Sequence, residues 1–352
     1  MAFDSSISNP ADAVDAVEPD LRARIARMPK VELHVHLEGA TSADTYFEIA
    51  RRNNVSLETQ DLPQWQKFFA FTDLTHFTAV YLQSTLCLRS PADYELMVQR
   101  FGAQQASLNV LYTEAFVACS LLPENMDSGE FLDALERGAS SVARDHGVMV
   151  RFIAGISRSR ASTQGEVLEI ALEGRQRGIF VGLGLGGIED GYPPRLFADT
   201  FRRARERGLH VVAHAGETFG PASVRGALNR LRVERIGHGI RSLEDPALVE
   251  RLRDERIPLE ICPRSNYRLG VVAADRPHPI RWLFDSGVWC TVNSDDPAMF
   301  ETTLTREYET LAEQGFTWDE IWAINHGAID ATFAGEAEKL ALRAIYSDFE
   351  TV

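Results

Sequence analysis

The amino-acid sequence predicts a (β/α)8 barrel, and three observations carry that prediction. Eight short β-rich runs recur along the 352 residues. From residue 109 onward helical stretches separate them, the alternation that βα units around a parallel sheet produce. The chain is 45 % hydrophobic, ample for one large core, and barrels use such lengths as a single domain. An open doubly wound sheet is the alternative arrangement of the same alternation.

The runs fall at residues 31–36, 110–118, 148–156, 179–185, 210–215, 234–239, 259–262 and 288–294. Residues 1–19 read as a flexible polar tail, and residues 20–352 as one barrel domain. A short helix in "EPDLRARIARMP" leads to the first run and stops at Pro29. The first βα connection is oversized. Residues 41–108 show helical periodicity in several pieces, with turn signals at Asn53-Asn54 and Ser90-Pro91. Barrel sites form at the C-terminal ends of the strands, so this helical insertion is expected to cover that mouth.

A net charge of −15 argues against a nucleic-acid backbone as partner, whose binders carry basic patches. Lysine occurs only at Lys30, Lys67 and Lys339. Cys87, Cys119, Cys262 and Cys290 are scattered, a pattern of free thiols in a reducing compartment rather than of a disulfide framework. The polar, acidic N-terminus lacks the regions of a signal peptide, and no run of about 18 apolar residues suggests a membrane span. The expectation is a soluble cytoplasmic protein with neither membrane nor nucleic-acid partner. Nothing in the sequence specifies an oligomeric state.

The chemistry gathers at the predicted C-terminal strand ends. "VELHVHLEGA" places His34 and His36 two residues apart in an apolar run, a spacing that puts both rings on one face of a strand. The fifth run ends in "VVAHAGE" with His214 and Glu217, and the sixth in "IGHG" with His238. The eighth ends in "VNSDDP" with Asp295 and Asp296. Taken singly, each has an ordinary explanation. A strand-end histidine is more often a hydrogen-bonded core residue, and "SDDP" suits a helix start with Asp296 as N-cap. "HAGE" suits a turn with Glu217 in solvent. Those explanations give no cause for the joint placement at one end of one barrel.

Metal binding supplies the cause. His34, His36, His214 and Asp295 offer three imidazoles and one carboxylate, the donor set of a catalytic site with a position left for water. Imidazole-rich ligation suits zinc, although Fe2+ or another divalent ion also accepts it. Such an ion lowers the pKa of bound water from 15.7 towards about 7. The three lysines lie away from the later strand ends, so a lysine bridge between two metals is not expected; one ion is. Glu217, three residues after His214, is placed as a proton shuttle. His238 is placed to orient the attacking hydroxide, and Asp296 to contact substrate.

The set "HVHLEG", "HAGE", "GHG", "CPRSN" and "NSDDPAMF", in this order, closely resembles the adenosine/adenine deaminase family of metal-dependent aminohydrolases, from about Lys30 to Lys339. The resemblance implies a (β/α)8 barrel, a single zinc ion, and replacement of a purine 6-amino group by oxygen with release of ammonia. It implies that His34, His36, His214 and Asp295 hold zinc. Glu217 would protonate ring nitrogen N1, His238 would hold the hydroxide, and Asp296 would bond N7. Gly187, in "GLGLGGIE", would offer its N–H to N3.

Departures from the pattern bear on the substrate. Glu38 of "HLEG" stands where adenosine deaminases of animal type carry Asp, near the sugar or its absence. Arg264 of "CPRSN" is unusual for its position, and an anionic extension or a structural salt bridge would use it. Gly186 and Met299 resemble bacterial relatives. Among the rings of "WQKFFAFTDLTHF", Phe68 or Phe71 is expected to reach the pocket. The expected substrate is an adenosine-like nucleoside, with free adenine or a modified adenosine such as 6-aminodeoxyfutalosine as alternatives. Two further readings are a barrel hydrolase of a cyclic amide or ester and a purine-binding protein without turnover.

Overall fold

The computed structural model describes residues 17–59, 61–71 and 74–350, so nearly all of the expected tail lies outside the described residues. Eight strands form one sheet in chain order, each parallel to its neighbours. They are β1 (Lys30–His36), β2 (Val110–Val117), β3 (Met149–Ser157), β4 (Phe180–Gly186), β5 (His210–Ala215), β6 (Arg235–His238), β7 (Leu259–Ile261) and β8 (Cys290–Val292). Every sequence-predicted run coincides with one strand to within two residues at either end. The order and the closure together exclude the doubly wound alternative.

Closure is made where the ladder is thinnest. β8 has three residues, too few to pair along the whole of β1. Beyond it, the Asn293 side-chain oxygen accepts the N–H of Leu33 at 2.8 Å and of His34 at 3.1 Å. Asp295 N–H then donates to His34 O at 3.1 Å, and His36 N–H to Asp295 O at 2.7 Å. A side chain thus replaces a missing rung, as buried backbone donors require.

Alternation along β1 sorts its two faces. Val31, Leu33 and Val35 are fully buried in the main hydrophobic core, while His34 stacks inside the barrel at 5.0 Å from Phe116. Lower in the interior, Phe116, Ile153 and Val212 pack as a small apolar cluster with Phe333 against it. Beside that cluster Arg235, 1 % exposed, lies between Glu114 and Glu260, at 2.6 Å from each. Four helices longer than one turn connect β1 to β2: Ala43–Arg52, Leu62–Phe69, Leu74–Thr85 and Pro91–Ser107. Both turn signals hold. Asn53 caps the first of these helices, and Ser90 with Pro91 opens the last through a capping box with Asp93.

Glu307, in the helix Leu304–Glu313, braces the loop after β7. Its carboxyl accepts Thr302 Oγ1 at 2.6 Å and Arg264 N–H at 3.0 Å. Burial pushes it up to about 8, against about 4.3 when unfolded. Between those pH values the folded chain holds a proton that the unfolded chain releases, so this group's contribution to stability falls as pH rises through the window. Glu307→Gln cannot ionise. Its melting temperature relative to the parent is expected to climb by a few degrees from pH 5 to pH 8, and a constant difference would contradict the assignment.

Candidate functional site

His34, His36, His214 and Asp295 meet at the C-terminal mouth, with one donor atom of each within 4.8 Å of all the others. His36 Nε2 lies 3.2 Å from His214 Nε2 and 3.2 Å from Asp295 Oδ1; His34 Nε2 lies 3.5 Å from that same oxygen. The outer nitrogens fix the tautomers. His34 Nδ1 donates to Glu260 Oε2 at 2.7 Å, and His214 Nδ1 to Leu185 O at 3.0 Å. The Nε2 lone pairs of both rings therefore face inward, and His34 Nε2 is buried without a hydrogen-bond partner. Converging lone pairs repel unless a cation lies between them. This donor set fits a divalent metal, with the outer partners that orient imidazole ligands already in place.

The local field makes the same demand. Burial opposes a charge on His34, but Asp295 and Glu260 outweigh it and push the ring up to about 10. Burial alone would raise Asp295, yet the His34 and His36 rings beside it hold its carboxyl well below the ordinary range. Ser265 Oγ donates to Asp295 Oδ2 at 2.6 Å and leaves Oδ1 towards the histidines. Glu260, which burial would raise, is held low by Arg235 and His34. A second grouping of His238, Cys262 and Asp295 shares Asp295. Burial pushes the Cys262 thiol well up.

Above the cluster opens a cavity of about 470 Å3 that Glu217, His238, Asp296 and Gly187 line with the ligand groups. His34 lies beneath its floor. Burial, then the charge of Asp295, pushes the Glu217 carboxyl well above its usual range, and Glu217 Oε1 has no hydrogen-bond partner. Burial likewise pushes Asp296 up to about 8, against the opposing pull of His36. Asp296 Oδ1 is also unpartnered. Burial takes His238 down to about 4, so its ring is neutral at physiological pH. Two carboxyls that keep their protons and one neutral imidazole face the same space.

Local backbone explains these positions. Asp295 and His238 both adopt left-handed φ values, 63° and 60°, a conformation that L-residues rarely hold without compensating contacts. Asp295 is held by its two bonds to β1. The loop "HAGE" is held by Glu189, whose carboxylate accepts N–H groups from Gly216, Glu217, Thr218 and Phe219 at 2.9–3.1 Å. Arg158 donates to His214 O at 2.6 Å from the other side. "SDDP" forms a turn rather than a helix start, with Asp296 O accepting the N–H of Met299 and of Phe300.

Three expectations concern the wall. Glu38 is 1 % exposed and lies outside the cavity lining; its Oε1 accepts the N–H of Ala118, a lining residue, at 3.0 Å, and its Oε2 is buried without a partner. Arg264 does not line the cavity either, and its N–H is used on Glu307. Among the aromatics, Phe77 and Tyr81 line the cavity, while Phe71 packs behind them on Phe77 and Phe300. The sequence reading gave no role to Glu260, Glu189, Ser265 or Arg235. Glu189 ends the quoted "GLGLGGIE" and Ser265 stands in "CPRSN", while Glu260 shows as one acid inside the apolar run "LEIC".

A donor set fit for a divalent metal at the C-terminal mouth of a barrel, beneath a buried carboxyl shifted well above its usual range, is the arrangement of a metal-dependent hydrolase. The chain belongs to the adenosine deaminase family, whose model, described as "Adenosine deaminase", matches residues 29–347. It is a hydrolytic deaminase. Among curated proteins it is 36 % identical over 318 residues to an adenine deaminase of Streptomyces coelicolor, spanning 90 % of this chain and 93 % of that one. It is 37 % identical over 331 residues to an aminodeoxyfutalosine deaminase of Streptomyces avermitilis, 92 % of each chain. Among solved structures, an adenine deaminase from Arthrobacter aurescens superposes with a TM-score of 0.86 at 30 % identity, covering 92 % of this chain and 100 % of that one. An amidohydrolase from Burkholderia ambifaria with bound zinc gives 0.86 at 25 % identity, covering 99 % and 96 %. Among the described residues, no helix is long and apolar enough to cross a membrane.

Two glycines leave the space that Asp296 and the donor cluster occupy. A Cβ on Gly39 would lie 1.8 Å from Asp296 Oδ1; one on Gly237 would lie 2.7 Å from His34 Cε1 and 3.2 Å from His214 Cα. Gly39→Ala is expected to raise KM about tenfold or more, the loss of one strong hydrogen bond, with metal content unchanged. Gly237→Ala is expected to lower metal content. Metal analysis and steady-state kinetics on both variants check the pair.

Proposed function

We propose that this chain deaminates an adenosine-like 6-aminopurine nucleoside to its 6-oxo product and ammonia. The reading assigns one zinc ion to His34, His36, His214 and Asp295, with Fe2+ as the alternative ion. The observation that carries it is Glu217, a buried carboxyl that keeps its proton with one oxygen unpartnered beside the cluster. A metal there, when bound, supplies the Lewis acidity that makes water a nucleophile near neutral pH.

The chain's own residues do the rest. Glu217 gives its proton to ring nitrogen N1, which withdraws electrons from carbon 6 and opens it to attack by water. A new C–O bond forms from water as the C–N bond to the amino group breaks; of the two protons of that water, one goes to the amine, which leaves as ammonia, and the other returns to Glu217, which recovers the proton it gave to N1. His238 holds the attacking water from the neighbouring strand. Asp296, protonated, donates to N7, and Gly187 offers its N–H to N3. Glu38, whose buried Oε2 has no partner, is kept as the group on the sugar side of the site. Cavity size favours a nucleoside over free adenine. About 470 Å3 is within the range that holds drug-sized ligands, and a bare purine leaves much of it empty.

The same proposal takes residues 20–352 as one barrel domain, with the helical insertion as cover over the mouth. Phe77, Tyr81 and Leu82 of that insertion line the cavity, which supports the cover. The four free, buried cysteines support a cytoplasmic location.

The metal-loaded protein is expected to release ammonia from adenosine or a 5′-substituted adenosine faster than from adenine. Inertness towards adenine, adenosine, 2′-deoxyadenosine, 5′-substituted adenosines and 6-aminodeoxyfutalosine alike would sink the proposal. Glu217→Gln should lower kcat by about 10²- to 10⁴-fold while metal content stays at the parent level. Asp296 gives a pH signature. Its donor is present below about 8 and lost as pH rises through that value, so KM should rise above pH 8. Asp296→Asn keeps a donor at every pH, and its KM should lack that rise.

A further inference from the structure

His238 has two ring nitrogens, and which one carries the proton decides whether it donates to the attacking water or accepts from it. Behind it runs a buried chain of hydrogen bonds with only one consistent direction. The chain starts at a backbone amide, which can only donate: Ile280 N–H lies 3.1 Å from His278 Nδ1. His278 Nδ1 is therefore the acceptor, and in a neutral ring Nε2 carries the hydrogen. Burial takes His278 down to about 3, so the ring is neutral at physiological pH. His278 Nε2 lies 3.0 Å from Asn266 Oδ1 and donates to it. The Asn266 amide then presents its Nδ2 hydrogens to His238 Nδ1, 3.3 Å away. His278 and Asn266 are both fully buried.

We propose that Asn266 and His278 are positioning residues that hold His238 as the tautomer with its proton on Nε2, the nitrogen that faces the site. Nε2 lies 3.7 Å from Glu217 Oε1 and 3.9 Å from Asp295 Oδ2, so its hydrogen points into the space between them. His238 then donates to the attacking water, fixing a lone pair towards carbon 6, and takes no proton from it. The inference rests on the place given to His238 in the proposed reaction, but the tautomer is a property of the folded protein. Arg264 N–H on Glu307 and Ser265 Oγ on Asp295 hold the preceding residues of the same turn, which fixes the place of Asn266 in the relay.

Nitrogen-15 histidine spectra of the zinc-loaded protein decide the matter, because protonated and bare ring nitrogens resonate far apart. His238 is expected to show hydrogen on Nε2 and a bare Nδ1. Hydrogen on Nδ1 in the parent protein overturns the proposal even if every variant misfolds. Asn266→Asp presents only acceptors, so it should move the hydrogen to Nδ1. It should also lower kcat about 100-fold or more, the scale on which a mis-set tautomer lowers turnover, with metal per chain unchanged. His278→Gln keeps a donor to Asn266 and should retain most of kcat. His278→Met removes the donor and should fall with Asn266→Asp. Equal kcat in all three variants would also overturn the proposal. An enzyme inert to every aminopurine but with the expected spectrum would remove the proposed reaction and leave the relay standing.

Discussion

The seam between β8 and β1 fixes the rest of the molecule, because the barrel closes through the backbone of the residues that carry the metal donors. His34 and His36 pair with Asp295, and Asn293 supplies a side-chain oxygen where β8 has ended. A slip of one residue in β1 would turn both histidines out of the barrel, and no partial closure keeps them in place. The left-handed φ of Asp295 is held by two of these bonds, a strain of order 1 kcal/mol that closure offsets. Folding the sheet and assembling the donor cluster are the same event.

Below the seam the barrel carries a buried charge where a smaller barrel would carry leucine. Arg235 reaches Glu114, Glu260 and the carbonyl of Ala331, and its guanidinium lies 3.6 Å over the ring of Phe333. Burying such a group is expensive, and buried ion pairs are weak evidence for stability. Their use here is directional. Glu260 has two oxygens, one facing Arg235 and the other taking the His34 Nδ1 hydrogen. The segment Ala331–Phe333, between the last two helices, thereby bears on the orientation of a donor at the opposite end of the barrel.

How much of this the sequence discloses depends on whether a feature is local. Period-two placement of His34 and His36 is local, and so is the strand-end position of His214, His238 and Asp295; all were legible. Eight apolar runs and the oversized first connection were legible for the same reason. The partners were not, because each is chosen by closure of the barrel rather than by spacing: His34 and Glu260 are separated by 226 positions. Wall residues are harder still. Helical periodicity says that some rings of residues 65–77 face inward, but it does not say that Phe71 stops at Phe300 while Phe77 reaches the cavity. Glu38 sits one turn beyond the histidines, and only the helix Leu37–Ala40 shows that its carboxylate turns back to Ala118.

Asp295 and Asp296 are neighbours in the chain, and the structure gives them opposite charge states. The left-handed turn at Asp295 sends one carboxyl into the donor cluster and the other past Gly39 into the cavity wall. The histidine rings beside it keep Asp295 ionised, while burial and the charge next door keep Asp296 protonated up to about 8. A site with both ionised would place two negative groups on one face, and only a cationic ligand would answer them. A site with both protonated would hold a metal poorly. In the proposed reaction the split leaves one anion for the metal and two protonated carboxyls, Glu217 and Asp296, for the ligand. Two donors in one cavity suit a ligand with acceptor atoms on separate edges, and an aminopurine, in which N1 and N7 lie on different rings, has that hydrogen-bonding character.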